Sequence, residues 1–148
     1  FRMNVIGCDC SPRERVPDLE YLEFDEFSAR ADVISIHIHL TDDNVNFLNA
    51  DRIAKMKDGV ILVDTSRGKI IDEEALLAGL ESGKVGGFGA DVIVGEWRDD
   101  LAGHPLIAYA RENDNVTIVP HVGGVTWAAQ TITLSFVAEK MAAIMREW

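Results

Sequence analysis

Apolar runs of membrane-spanning length are absent: no stretch approaches the roughly eighteen consecutive apolar residues that a spanning helix needs. Basic residues are scarce. Fourteen Lys and Arg stand against 25 Asp and Glu, a net charge of −11, which argues against nucleic acid or an anionic membrane as a partner. Cysteine is nearly absent, with two residues in Cys8-Asp9-Cys10. A lone C-x-C pair offers too few ligands for structural zinc, and a disulfide between strand positions i and i+2 would be strained. Both read as reduced thiols, so the expected compartment is the cytoplasm. No basic segment followed by an apolar one opens the chain, and no signal peptide is expected, although the first residue is Phe1 rather than Met. Neither an internal repeat nor a low-complexity linker divides the 148 residues, a length that suits one domain with a real core.

What is present is organised around Val60-Ile61-Leu62-Val63-Asp64-Thr65-Ser66-Arg67-Gly68. Five residues suited to a buried strand run into a polar turn, and an amphipathic helix over 72–81 follows, with Ala75, Leu76, Leu77 and Leu80 on its apolar side. This is one βα unit of a parallel sheet. Ligands of open α/β sheets bind beyond the carboxyl ends of strands, where the Arg67 guanidinium would stand as a planar fork suited to a carboxylate. Taken alone, Arg67 reads equally as a surface residue capping a loop.

Further strands are expected over 3–9, 32–38, 85–92 and 115–120. Helical spacing marks 24–31, and Asn49 caps a helix through Met56 that Lys57-Asp58-Gly59 ends, with Gly59 as the C′ residue. Pro105 starts a short helix to Arg111. Thr126 caps a long one to about Trp148, with Ile132, Phe136, Val137, Met141, Ile144 and Met145 apolar. The fold class is α/β, Rossmann-like, with a mainly parallel sheet and flanking helices. Asp9, at a strand's end, occupies the position that accepts hydrogen bonds from the adenosine ribose in dinucleotide folds. Alone it reads as a solvent-facing turn residue. Arg13 and Arg15 could meet a 2′-phosphate, but Asp9 would repel one, which favours NAD over NADP.

Arg67, Glu96 and His121 each follow an expected strand, and in a parallel sheet their loops open on one edge. A His paired with a carboxylate is a general acid/base, its proton affinity raised by the partner. An Arg beside it would hold a substrate carboxylate. That combination suits proton transfer to a carbonyl oxygen as a hydride from a cofactor reaches the carbon.

Asp64-Thr65-Ser66-Arg67-Gly68, Gly89-Ala90-Asp91-Val92 and Pro120-His121-Val122-Gly123-Gly124 resemble the signature blocks of the D-isomer-specific 2-hydroxyacid dehydrogenases. The spacings match as well: 24 residues from Arg67 to Asp91, 5 more to Glu96 and 25 to His121, with His37-Ile38-His39-Leu40-Thr41 upstream. The resemblance implies His121 as acid/base, Glu96 as its partner and Arg67 as the binder of a small 2-oxo or 2-hydroxy acid. It implies that Asp91 holds the nicotinamide carboxamide and Asp9 the adenosine ribose. Ile38, Thr65 and Ser66 would line the NAD cofactor, with His121, Gly123 and Gly124 beside the nicotinamide.

Three departures from the family pattern stand out. His39 replaces the usual Pro; His37 and His39 share a strand face, but two His without a third ligand do not make a metal site. Glu96 lies in Gly95-Glu96-Trp97, where the family more often has an acidic, Pro-terminated loop. Finally, no G-x-G-x-x-G occurs; the nearest cluster, Gly86-Gly87-Phe88-Gly89, opens no helix. The expectation is therefore a partial dinucleotide-binding domain over 1–148, without the first strand and the substrate domain. The strands ending at Asp9 and at Asp64 would then lose their shared neighbour and carry open edges that need covering. Either the rest of the protein or a homo-oligomeric partner would supply the cover, or the two half-sheets would close on each other. The alternative function is a catalytically inactive fragment or paralogue serving as a structural or oligomerisation module.

Overall fold

The computed structural model describes residues 3–9, 16–97 and 99–146. Arg13, Arg15 and Cys10 lie outside these residues, as does Trp148, and with them the readings of the 2′-phosphate, the C-x-C pair and the last helix's end.

Two separate parallel sheets form. β1 (Ile6–Gly7) pairs with β2 (Glu20–Tyr21), so the strand expected over 3–9 shrinks to two residues, with Met3 and Val5 exposed. The larger sheet holds β3 (Val33–Ile36), β4 (Val60–Asp64), β5 (Val85–Ala90) and β6 (Val116–Ile118), all parallel and in that spatial order. This corrects the placement of the open edge. The strand ending at Asp64 is paired on both sides, by β3 and β5. The edge that faces β1 and β2 in chain order belongs to β3, which pairs only with β4 among the described residues. Nor do the two half-sheets join into one among the described residues.

The helices are α1 (Phe24–Arg30), α2 (Ala50–Lys55), α3 (Glu73–Ser82), α4 (Pro105–Glu112) and α5 (Trp127–Arg146). Local chemistry sets their ends. Asn49 Oδ1 accepts the Arg52 N–H at 3.1 Å, and Asp72 Oδ1 accepts from Glu74 and Ala75 at 3.1 and 3.2 Å. Gly83 closes α3 in the left-handed conformation, with φ of 77°. α2 ends at Lys55 with Met56 as its C-cap, three residues before Gly59, whose own φ of 77° turns the chain into β4.

α3 packs on β5, α2 on α3, α1 on α2, and α4 on β6 and α3. Their shared core includes Leu62, Ile70, Leu76 and Val85, all fully buried, each contributing on the order of 1.5–3 kcal/mol. Among the described residues, β3 and β4 each have one covered face. Residues alternate along β3 and β4, so Ile34, Ile36, Val60 and Leu62 are buried while Val33 and Ile61 are exposed. The expected buried strand is thus half-buried, with Ile61 exposed on its second face. α5 has no buried residue, and its Ile132, Leu134, Phe136 and Met145 are exposed.

Candidate active site

The parallel order brings the carboxyl ends of β3 to β6 to one edge, and two cavities open there. The larger, about 630 Å³, is lined by Ile93, Glu96, Trp97, Leu101, Ile107 and His121 among others. The smaller, about 350 Å³, is lined by His37, Ile38, His39, Leu40, Thr65, Ser66 and Arg67.

His121 is the acid/base candidate of the larger cavity. It follows β6 at Pro120 and takes a left-handed backbone, with φ of 52°. That conformation is uncommon outside glycine and needs the surroundings to enforce it. Three backbone bonds do so. His121 N–H donates to the Val119 carbonyl at 3.0 Å, and the N–H groups of Val122 and Gly123 donate to Asp91 Oδ1 and Oδ2 at 2.8 and 3.0 Å. A Cβ at Gly123 would sit 2.8 Å from Asp91 Oδ2 and would push that carboxylate off its backbone donors. Asp91 is itself buried and placed through its N–H, which donates to the Asp64 carbonyl at 3.0 Å.

His121 Nδ1 lies 2.9 Å from Glu96 Oε1, with both side chains largely shielded from solvent. A carboxylate only accepts, so Nδ1 carries the hydrogen and Nε2 is the nitrogen left for a ligand. The Trp97 ring, itself 82 % exposed, leans over the imidazole with centroids 5.7 Å apart and planes at 36°.

The smaller cavity is shaped by the turn after β4. Asp64 is fully buried, and its Oδ1 accepts both the N–H and the hydroxyl of Ser66 at 2.7 and 2.6 Å. Its Oδ2 has no partner among the described residues. Burial pushes the Asp64 carboxyl above its ordinary value, opposed by the hydrogen bonds from Ser66 and by His37. The Ser66 carbonyl in turn accepts Arg67 Nη1 at 2.6 Å, which holds the guanidinium at the cavity's edge. His37 sits between Ser35 Oγ, 2.8 Å from Nε2, and Thr65 Oγ1, 3.5 Å from Nδ1. Gly68 lets this turn press backbone to backbone on the Ile93–Val94 segment, where a Cβ would collide with the Ile93 carbonyl carbon.

The structure therefore joins His121 with Glu96 and braces them through Asp91. Arg67, Ile38, Thr65 and Ser66 gather in the neighbouring cavity, and Arg67 does not line the one that holds His121. Asp9 lies two residues beyond β1, is exposed, and lines neither cavity. Trp97 was missed from the sequence, although its place next to Glu96 was a usable signal. The bracing use of Asp91 was missed as well, since no local pattern announces a contact 31 residues away.

The residues at this edge fit the nicotinamide end of a dinucleotide: an apolar side chain (Ile38), a hydroxyl (Thr65) and a guanidinium on one cavity wall, beside a hydrogen-bonded imidazole in the next. Among the described residues no glycine-rich turn opens a helix to receive a pyrophosphate; Gly86, Gly87 and Gly89 lie within β5.

Residues 1–123 match the family model described as "D-isomer specific 2-hydroxyacid dehydrogenase, NAD binding domain". The hydroxypyruvate reductase of Thermotoga maritima is 41% identical over 130 residues, which cover 88% of this chain and 41% of that protein. The solved structure of D-2-hydroxyisocaproate dehydrogenase superposes with a TM-score of 0.83 at 29% identity, covering 97% of this chain and 46% of that one. The D-lactate dehydrogenase of Aquifex aeolicus, solved with NAD and lactic acid, gives 0.79 at 29% identity, covering 98% and 47%. The chain spans about two-fifths of the length of the hydroxypyruvate reductase it matches.

Proposed function

This chain belongs to the D-isomer specific 2-hydroxyacid dehydrogenase family, through that family's NAD binding domain, and from that premise we propose that its protein interconverts D-2-hydroxy acids and 2-oxo acids with NAD(H). The observation that carries the reading is the 2.9 Å contact between His121 Nδ1 and Glu96 at the mouth of an apolar cavity. When bound, NADH supplies the hydride, which no side chain can. His121 gives the proton from Nε2 to the carbonyl oxygen in reduction and takes it back from the hydroxyl in oxidation. Glu96 fixes the ring's orientation and keeps the hydrogen on Nδ1. Arg67 binds the substrate carboxylate once its guanidinium leaves the Ser66 carbonyl, offering a two-pronged contact.

Ile38, Thr65 and Ser66 line the cofactor's nicotinamide end, with Gly123 and Gly124 beside it. Asp91 serves the carboxamide with its remaining lone pairs while bracing the turn, and Asp9 meets the adenosine ribose, which selects NAD over NADP. The small acid substrate is the only partner the reading requires apart from the rest of the protein or a second copy; the site of action is the cytoplasm. No described helix is long and apolar enough to cross a membrane.

A second reading, a non-catalytic structural or oligomerisation module, is favoured by the apolar side chains that α5 leaves exposed. The two separate in one assay. The full-length protein with NADH should reduce at least one of glyoxylate, hydroxypyruvate, pyruvate or a bulkier 2-oxo acid and should form the D product. Absence of NADH oxidation with every such acid would sink the enzymatic reading and leave the module.

A further inference from the structure

A buried ionisable pair lies outside both cavities. His104 caps the start of α4, Glu73 opens α3, and both are shielded from solvent. His104 Nε2 stands 3.0 Å from the Val94 carbonyl oxygen and 3.3 Å from Glu73 Oε2, while Glu73 Oε1 accepts the Val94 N–H at 2.8 Å. The pair thus grips both backbone polar groups of one residue. A carbonyl only accepts, so His104 Nε2 carries the hydrogen and shares it between Val94 and Glu73. His104 Nδ1 is buried with no partner among the described residues, so the ring's hydrogen bonding is spent on this side. Burial raises the Glu73 carboxyl above its ordinary value, opposed by the Val94 N–H and by His104.

Val94 is two residues before Glu96. Between them Gly95 turns the chain with φ of 71°, so the direction in which Glu96 leaves depends on where Val94 is pinned. Two residues span at most about 7 Å, and a shift of about 1 Å at Val94 reaches Glu96 little diminished. A 2.9 Å hydrogen bond does not survive a stretch of that size. On the other side, Gly68 presses on the same segment through the Val94 nitrogen.

We propose that Glu73 and His104 are positioning residues for the acid/base pair: by holding both the N–H and the carbonyl of Val94, they set the Glu96 carboxylate against His121 Nδ1. The inference rests on the reading of His121 and Glu96 as that pair. Neither residue touches the cavity that holds them.

The test reads the ring tautomer of His121 by histidine ¹⁵N NMR on the full-length protein, since a carboxylate at Nδ1 keeps the hydrogen there and a free ring distributes it. Glu96→Ala sets the reference for a lost pair. His104→Ala should shift His121 to the same tautomer mixture. His104→Gln should restore the native signal, because its amide N–H reaches Val94 and Glu73 from near the Nε2 position. A folded His104→Ala chain with His121 still protonated on Nδ1 overturns the proposal. Should His104→Ala not fold, Glu73→Gln decides: this near-isostere keeps an acceptor for the Val94 N–H but turns a donor toward His104. A partial shift supports the clamp, and a native tautomer overturns it. If Glu96→Ala itself leaves the His121 signal unmoved, the acid/base pair fails and the clamp with it. A shift in Glu96→Ala alone leaves the pair standing and removes only the clamp.

Discussion

Replacing Gly68 with alanine should open the contact between the two loops that carry the candidate site. The Cβ built at Gly68 would stand 2.6 Å from the Val94 nitrogen and 2.7 Å from the Ile93 Cα, well inside the 3.4–4 Å of ordinary contact. The three nearest atoms are all backbone, so rotating a side chain does not relieve these contacts, and one loop must withdraw from the other. Overpacking of this kind costs about 1–3 kcal/mol, and the lack of a flexible neighbour places Gly68→Ala at the upper end.

Two other glycines calibrate the measurement. Gly59→Ala meets nothing within 4 Å but must hold a φ of 77°, a strain of about 1 kcal/mol. Gly103→Ala meets only Asp100 Oδ2 at 3.6 Å with no such φ, and should stay within about 0.5 kcal/mol of the native chain. Urea denaturation with equal m-values ranks the three. The order Gly68, Gly59, Gly103, from most to least destabilised, is the expected result. A Gly68→Ala chain as stable as Gly103→Ala would refute the backbone-to-backbone packing on which the site's assembly depends.

Two further outcomes follow from particular side chains. Asp72→Ala removes the acceptor for two N–H groups at the start of α3 and should cost about 1 kcal/mol in the same denaturation assay; Asp72→Asn should recover most of it. Asp64→Asn should change the pH dependence of stability. Its native carboxyl is raised by burial, so the unfolded chain releases this proton first. The contribution is fully present below the unfolded value of about 3.9 and is lost as pH climbs through the raised native value. The stability gap between Asp64→Asn and the native chain should therefore move in the variant's favour as pH rises from about 4; a gap that stays constant with pH would contradict the buried, proton-retaining carboxyl.

Local chemistry made part of this structure legible from sequence. Asn49 and Thr126 were readable as caps because a short polar side chain before an apolar period has one economical use, and each accepts the helix-start N–H expected of it; Asp72, expected as the first residue of its helix, is the cap instead. The parallel sheet followed from strand, turn and helix in alternation, and with it the approach of His121 to Glu96 across 25 residues. Strand neighbours were less legible. Which strand carries the open edge depends on spatial order, and the pattern of residues 60–64 is the same whether its partners are one strand or two; among the described residues the strand ending at Asp64 is paired on both sides and β3 on one. β2 has two residues, too few for any period to show. Burial was overestimated on Ile61 because apolarity records a preference for cover, not the element that provides it. The grip of Glu73 and His104 on Val94 could not be read, since His104 and Glu73 each look like ordinary helix-start residues until α3 and α4 pack side by side.

The most direct measurement compares NADH oxidation by the full-length protein with that of its His121→Gln variant, using a 2-oxo acid that the native protein reduces, alongside NADH binding by fluorescence. The account predicts that turnover falls by roughly 10²–10⁴-fold, the usual worth of a general acid/base, while NADH affinity stays within about twofold, well under the tenfold that 1.4 kcal/mol represents. Turnover within a few-fold of native, with the variant folded and binding NADH, would contradict the assignment of proton transfer to His121.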